Sequence, residues 1–300
     1  MNKLIRSFFY GNIFLGICAV ALCIETNLLS NISLNIFPFY LLIFFGTCIY
    51  YTMIYVRSVG ARNYNDRTLW YRRNLVVIKA TLRYSTMVAF IFLSFLIWKN
   101  VRTFLLLSLW QFILIVAFPL MAAWYTFAPG FLRIKNIRQI GWIKPFIVGL
   151  TWAGWVTIYP VIIWSVQMKA IPAITLLSLL LLWFENFLFF SVNAIIFDIK
   201  DYRTDTYHQL KTYPVILGIR NTFRFIIIPV VLLNLTVFFL LQWQKNFTLP
   251  QTLIQLIPYT LLIFIILNYR QGRSVLYYLV AVDGLVFLKA VCGIASILLF

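Results

Sequence analysis

Nine apolar stretches follow one another along the chain, near residues 9–28, 36–56, 84–98, 103–125, 145–166, 172–196, 225–243, 250–268 and 275–298. At about 1.5 Å of rise per residue, runs of this length read as helices crossing roughly 30 Å of hydrocarbon. The third is the shortest, and starting it near Lys79 would draw polar residues into it. The largest polar segments are 57–83, 127–144 and 198–224, each joining an even-numbered span to the next odd one. No Gly/Ser linker divides the chain, so residues 1–300 are expected to form a single all-helical membrane domain.

Composition supports this. Hydrophobic residues make up 63% of the chain and mean hydropathy is +0.93, more apolar surface than a soluble core of this length can bury. The net charge of +18 alone would suggest nucleic acid, but its distribution excludes that reading. With the N-terminus placed in the cytosol, Lys3, Arg6 and the loops 57–83, 133–144, 200–224 and 270–273 put 20 of the 25 basic residues on that side. Only Lys99, Arg102, Lys169 and Lys245 fall opposite, and Lys289 lies within the last span. The positive-inside rule then puts the N-terminus in the cytosol and the C-terminus outside, the basic loops meeting anionic lipid, and the expected location is a bacterial plasma membrane. The first span follows a basic start without a small-residue cleavage site and is expected to be retained. Cys18, Cys23, Cys48 and Cys292 all lie in spans, at spacings that suit packing rather than zinc or disulfides. Trp98, Trp110, Trp124, Trp142, Trp152 and Trp155 read as an interfacial belt plus core packing, with some of them expected to line a pocket for an apolar substrate.

The acidic residues carry the chemistry. Of seven in the chain, Asp198, Asp201 and Asp205 fall within eight positions at the end of the sixth span. Read as one helix, the spacing i, i+3, i+7 turns the three carboxylates toward one place. Two such charges about 6 Å apart repel by roughly 3 kcal/mol at an effective dielectric of 20, so the run predicts a shared cation. Oxygen donors without cysteine or paired histidine point to Mg²⁺. A solvated helix end paired with Lys200, Arg203 and Lys211 is the plainer alternative.

Asp198-x-Lys200-Asp201-x-x-x-Asp205, followed by Lys211-Thr212-x-Pro214-Val215-x-x-Gly218, resembles the second aspartate-rich motif of the UbiA-type intramembrane prenyltransferases. The motif match covers residues 193–218, and the likeness in plan covers nearly the whole chain. The resemblance implies a nine-helix UbiA-like bundle in which Asp198, Asp201 and Asp205 are catalytic and hold Mg²⁺ against the diphosphate of an isoprenoid donor, assisted by Lys211. Gln209 stands where the family has glycine. The first motif is degenerate: Asn65 and Asp66 match, implying substrate contact and, for Asp66, a metal ligand, but Leu69 and Arg73 replace two aspartates. Guanidinium and ammonium groups from Arg67, Arg72, Arg73, Lys79 or Arg83 are candidates to stand in for a second ion, because arginine binds phosphate oxygens through a rigid fork.

Further candidates lie deeper or nearby. Glu185 and Asn193 are polar residues inside the sixth span and are candidates to touch substrate, Glu185 because ionisable groups inside a membrane are costly, with a hydrogen-bonded structural role as the alternative. Asp283 in the last span either pairs with Lys289 or faces a cavity. His208, and the segment 125–145 with Tyr125, Arg133, Lys135 and Arg138, adjoin the motif region. The resulting expectation is a Mg²⁺-dependent transfer of an isoprenoid group from its diphosphate to a hydrophobic, quinone-precursor or other lipid-like acceptor. A non-catalytic lipid-binding scaffold is the rival, and a transporter using Glu185 and Asp283 is a third reading.

Overall fold

A computed structural model describes residues 3–60, 65–126, 141–207, 209–269 and 273–300. Among these the chain is helical and has no strand. Eight helices are long and apolar enough to cross a membrane, and a ninth span is formed if the bent pair at the N-terminus counts as one. We label them α1 (Lys3–Tyr10 with Ile13–Leu29), α2 (Phe37–Ser58), α3 (Leu75–Lys99), α4 (Leu109–Thr126), α5 (Lys144–Met168), α6 (Leu176–Lys200), α7 (Ile219–Gln244), α8 (Leu249–Leu267) and α9 (Val275–Leu299).

Local chemistry sets the boundaries. Thr175, Thr248 and Ser274 cap α6, α8 and α9 by accepting from the backbone N–H three residues on, and Gln251 completes a reciprocal box with Thr248. Lys169 and Asn246, both at φ 53°, turn the chain after α5 and α7. Four boundaries differ from the apolar runs. α1 bends by 52° at Gly11–Asn12, with Asn12 at φ 63°. α3 begins at Leu75, and its exposed Lys79 and Arg83 ride on the helix because long basic side chains reach past apolar surface to water. Residues Val101–Leu105 form a separate short helix before α4. α6 continues to Lys200 with Asp201 as its C-cap, and a second short helix, Tyr202–Tyr207, follows. The aspartate run therefore does not lie on one helix, and the single shared face expected for it is lost.

α5 and α6 form the centre of the bundle: 67% and 61% of their most apolar windows are buried, against 6% for α3 and α4, whose Phe90, Ile91, Trp110 and Phe112 face outward. Wider π-type turns interrupt α5 at Gly154–Ile158 and α7 at Phe223–Ile227, each two residues ahead of a proline, Pro160 and Pro229. Proline has no N–H to return to the carbonyl four residues back, which is then free for other donors. At Val156 the carbonyl accepts instead from the Thr26 hydroxyl of α1 at 2.8 Å.

The core holds an ionic cluster between α1, α6, α8 and α9. Lys289 Nζ lies 3.2 Å from Glu25 Oε1 and 3.5 Å from Glu185 Oε1, and the Tyr259 hydroxyl donates to Glu185. Gly293 has no side chain because Glu25 fills the space beside it. Lys289 thus pairs with these glutamates and not with Asp283, and Glu185 is committed to the core.

Candidate active site

A cavity of about 470 Å³ opens between α2, α4, α5, α6 and α9, within the range of roughly 300–1,000 Å³ usual for small-molecule sites. Each wall is one helical face at spacings of three and four: Thr47, Tyr50, Tyr51, Ile54 and Tyr55 on α2, Lys144, Val148, Thr151, Trp152 and Trp155 on α5, and Phe190, Ala194, Phe197, Asp198 and Asp201 along α6 and its cap. From Asp201 to Phe190 the wall runs eleven residues, roughly 16 Å, from a charged end into an aromatic body.

The aromatic body is held in place by contacts around it. The Trp155 indole lies against Gly46 and donates to Thr47 Oγ1 at 3.1 Å. Trp152 donates to the Tyr51 hydroxyl and its ring is 5.2 Å from that of Phe190. Phe118 fits against Gly154 in the π-type turn, where a side chain would strike its ring.

At the charged end, Lys144 from the start of α5 makes an ion pair with Asp198, whose side chain is only 1% exposed. Lys200 pairs with the half-open Asp201 at 3.0 Å. Arg67 is buried: its guanidinium stacks 3.9 Å over the Tyr55 ring and donates to the Tyr55 hydroxyl at 3.0 Å, to Asn12 Oδ1 and to the Tyr10 carbonyl at 3.2 Å. Asn12, at the bend of α1, also donates to Thr52 and Tyr71, so the bend is what anchors Arg67. Asp283 joins the wall from α9.

The other sequence candidates are distributed differently. Asp205 is buried on the second short helix, off the cavity wall, within electrostatic reach of Lys144, Asp198 and Asp201; burial pushes its carboxyl up to about 6, against the pull of Lys144. Its backbone is fixed by the helix-ending turn in which Gln209 N donates to Thr206 O and Leu210 N to Asp205 O, with Gln209 in the left-handed region at φ 52°. That conformation favours glycine, which explains the family's residue there. Asn193 is buried without a partner for either amide atom and is off the cavity wall. Glu185 is off it too. Asn65 is exposed and caps Asp66–Arg73 by accepting from Thr68 N at 2.9 Å. Asp66, Arg72, Arg73 and Lys79 are exposed and do not line the cavity, so of the first-motif segment it is Arg67 that reaches in. The Lys211 side chain is exposed, while the Lys211–Thr212 backbone packs on Gly141 and docks the motif loop beside the start of α5. His208, Arg133, Lys135 and Arg138 lie outside the described residues.

Sequence reasoning did not single out Lys144, which stood among the loop charges, or Glu25, a lone acid in the first span. The only signal for Lys144 was its position against Pro145 at the start of a span.

Among the described residues no three His, Cys, Asp or Glu side chains gather closely enough to hold a metal ion between them. Mg²⁺ needs less from a protein: it commonly takes one or two carboxylates and completes its shell with substrate phosphate and water. Asp198 Oδ2 and Asp205 Oδ2 are buried oxygens with no partner, which suits such an ion.

No protein-family model matches the chain, and no curated protein matches it in sequence. A solved structure of digeranylgeranylglyceryl phosphate synthase in membranes is similar over 100% of both chains, with a TM-score of 0.59 at 14% identity. The two chains share a fold. The all-helical polytopic membrane bundle expected from the sequence is the one observed.

Proposed function

We propose that the protein is a Mg²⁺-dependent intramembrane prenyltransferase that moves an isoprenoid group from its diphosphate to a hydrophobic, quinone-precursor or other lipid-like acceptor. The observation that carries this is the cavity itself: a charged end containing Arg67, Lys144, Lys200, Asp198 and Asp201 leads into an aromatic, apolar body. That is the shape of an amphipathic ligand with a phosphate head and an apolar tail. The shared fold supports the reading, since the neighbour makes a geranylgeranylated glyceryl phosphate.

In this reading the diphosphate sits at the charged end, with Arg67 holding phosphate oxygens through its fork. Asp198, Asp201 and Asp205 are the residues that would hold Mg²⁺, which when bound supplies neutralisation of the leaving diphosphate. Lys144 and Lys200 hold the carboxylates in place and add positive charge where the diphosphate departs. Tyr51, Trp152, Trp155 and Phe190 keep water from the allylic carbon and offer π faces to its developing positive charge. In this reading the charged end faces the cytosol, in keeping with the positive-inside rule.

A second reading has a specific observation behind it. The first-motif segment puts no carboxylate on the cavity wall, which suits a lipid-binding descendant without turnover. Purified protein in nanodiscs, given Mg²⁺ and labelled geranylgeranyl diphosphate, separates the two. Saturable binding with diphosphate release supports the enzyme, binding without release supports the descendant, and no binding refutes both.

A further inference from the structure

Six charged side chains line the cavity: Arg67, Lys144, Lys200, Asp198, Asp201 and Asp283. Four of them neutralise one another, Lys144 with Asp198 and Lys200 with Asp201. The remaining two are not matched. Arg67 donates only to neutral oxygens, and the Asp283 carboxylate has no hydrogen bond or ion pair among the described residues. The charges that act on Asp283 come from Arg67 and Lys200, neither of which touches it.

A carboxylate left unpartnered on the wall of an intramembrane cavity is costly, and such residues mark substrate sites. It lies a little over two turns into α9, between Leu279 and Val286 on the same face, so it stands on the wall where the apolar body begins. Having no cation of its own, it is free to take a proton donor from the ligand. Arg67 supplies the complementary site for an anionic head.

We propose that Asp283 is a catalytic residue that binds and deprotonates the acceptor, and that the acceptor is therefore a protic nucleophile, a hydroxyl or amine on an amphipathic lipid. The inference rests on the prenyl-transfer reading. The acceptor oxygen or nitrogen forms a bond to the allylic carbon as the bond from that carbon to the diphosphate oxygen breaks. The diphosphate leaves with the bonding pair, and the acceptor's proton passes to the Asp283 carboxylate.

The test uses the full chain in nanodiscs with geranylgeranyl diphosphate as donor and a monoalkyl glyceryl phosphate bearing a free hydroxyl as acceptor. The wild type is expected to bind the donor and prenylate the hydroxyl. Asp283→Asn should keep donor affinity within about threefold and lose transfer by about 100-fold or more, the range for removing a general base. Asp283→Glu should recover part of the rate, which a purely structural role would not predict. Transfer by Asp283→Asn at the wild-type rate, loss of its donor binding, or wild-type donor binding without transfer either to the hydroxyl or to the amine of the matching amino analogue would each overturn the assignment. A wild type that binds no donor would instead overturn the prenyl-transfer reading beneath it.

Discussion

The cavity end and the core cluster both bury charge between the same helices, α6 and α9, yet they are built to opposite ends. In the core, Glu25, Glu185 and Lys289 are 3%, 5% and 4% exposed, Lys289 bridges both glutamates, Tyr259 donates to Glu185, and Glu25 Oε2 is left without a partner among the described residues. At the cavity, Lys144 and Asp201 are 19% and 39% exposed and, among the described residues, Asp198 keeps an oxygen without a partner and Asp283 has no ion pair. A closed network clamps helices together. An open one leaves valence for a ligand. The transporter reading joins Glu185 and Asp283 in one relay; Glu185 belongs to the core cluster and Asp283 to the cavity wall.

Removing a charge from the closed cluster should have the largest effect on folding. Lys289→Met leaves two glutamates without their cation and is expected to cost about 3–5 kcal/mol in reversible unfolding in detergent. A loss under about 1 kcal/mol would show that the cluster is no clamp. On the cavity side, Gly154→Ala drives a methyl into the Phe118 ring and is expected to cost about 1–3 kcal/mol and to weaken ligand binding, because the ring is part of the wall. Unaltered stability there would mean that the π-type turn yields easily. Gln209→Gly removes a side chain from a left-handed position and should stabilise the motif loop by about 1 kcal/mol. Lowered stability would contradict the helix-ending turn described at Asp205. The smallest effect belongs to Arg72→Gln and Lys79→Gln, exposed side chains off the cavity wall, which should leave stability within about 0.5 kcal/mol and donor affinity unchanged. A large loss of affinity would bring these side chains back into the site.

How much of this was legible in the sequence follows from which interactions are local. The spans could be read because burial in lipid needs only a run of apolar residues. The aspartate motif could be read because its members are close in sequence. The end of α6 at Asp201 could not, since a helix cap depends on where the chain turns, and the loop that follows packs its Lys211–Thr212 backbone on the distant Gly141. Arg67 was one of five basic candidates, and only the bend at Asn12, 55 residues earlier, selects it. Lys289 had Asp283 six residues away as an apparent partner, yet pairs with Glu25, 264 residues distant. On a helix six residues is nearly two turns with the faces turned apart, so proximity in sequence misled there.

The account rests on the charged end of the cavity receiving a diphosphate, and Lys144 is the cation most directly placed to report on it. Titration of geranylgeranyl diphosphate into the wild type and Lys144→Met, with and without Mg²⁺, measures this directly. The account predicts saturable, Mg²⁺-enhanced binding to the wild type and at least tenfold weaker binding to the variant, about 1.4 kcal/mol. Equal affinity in the two proteins, or no binding to the wild type, would contradict it.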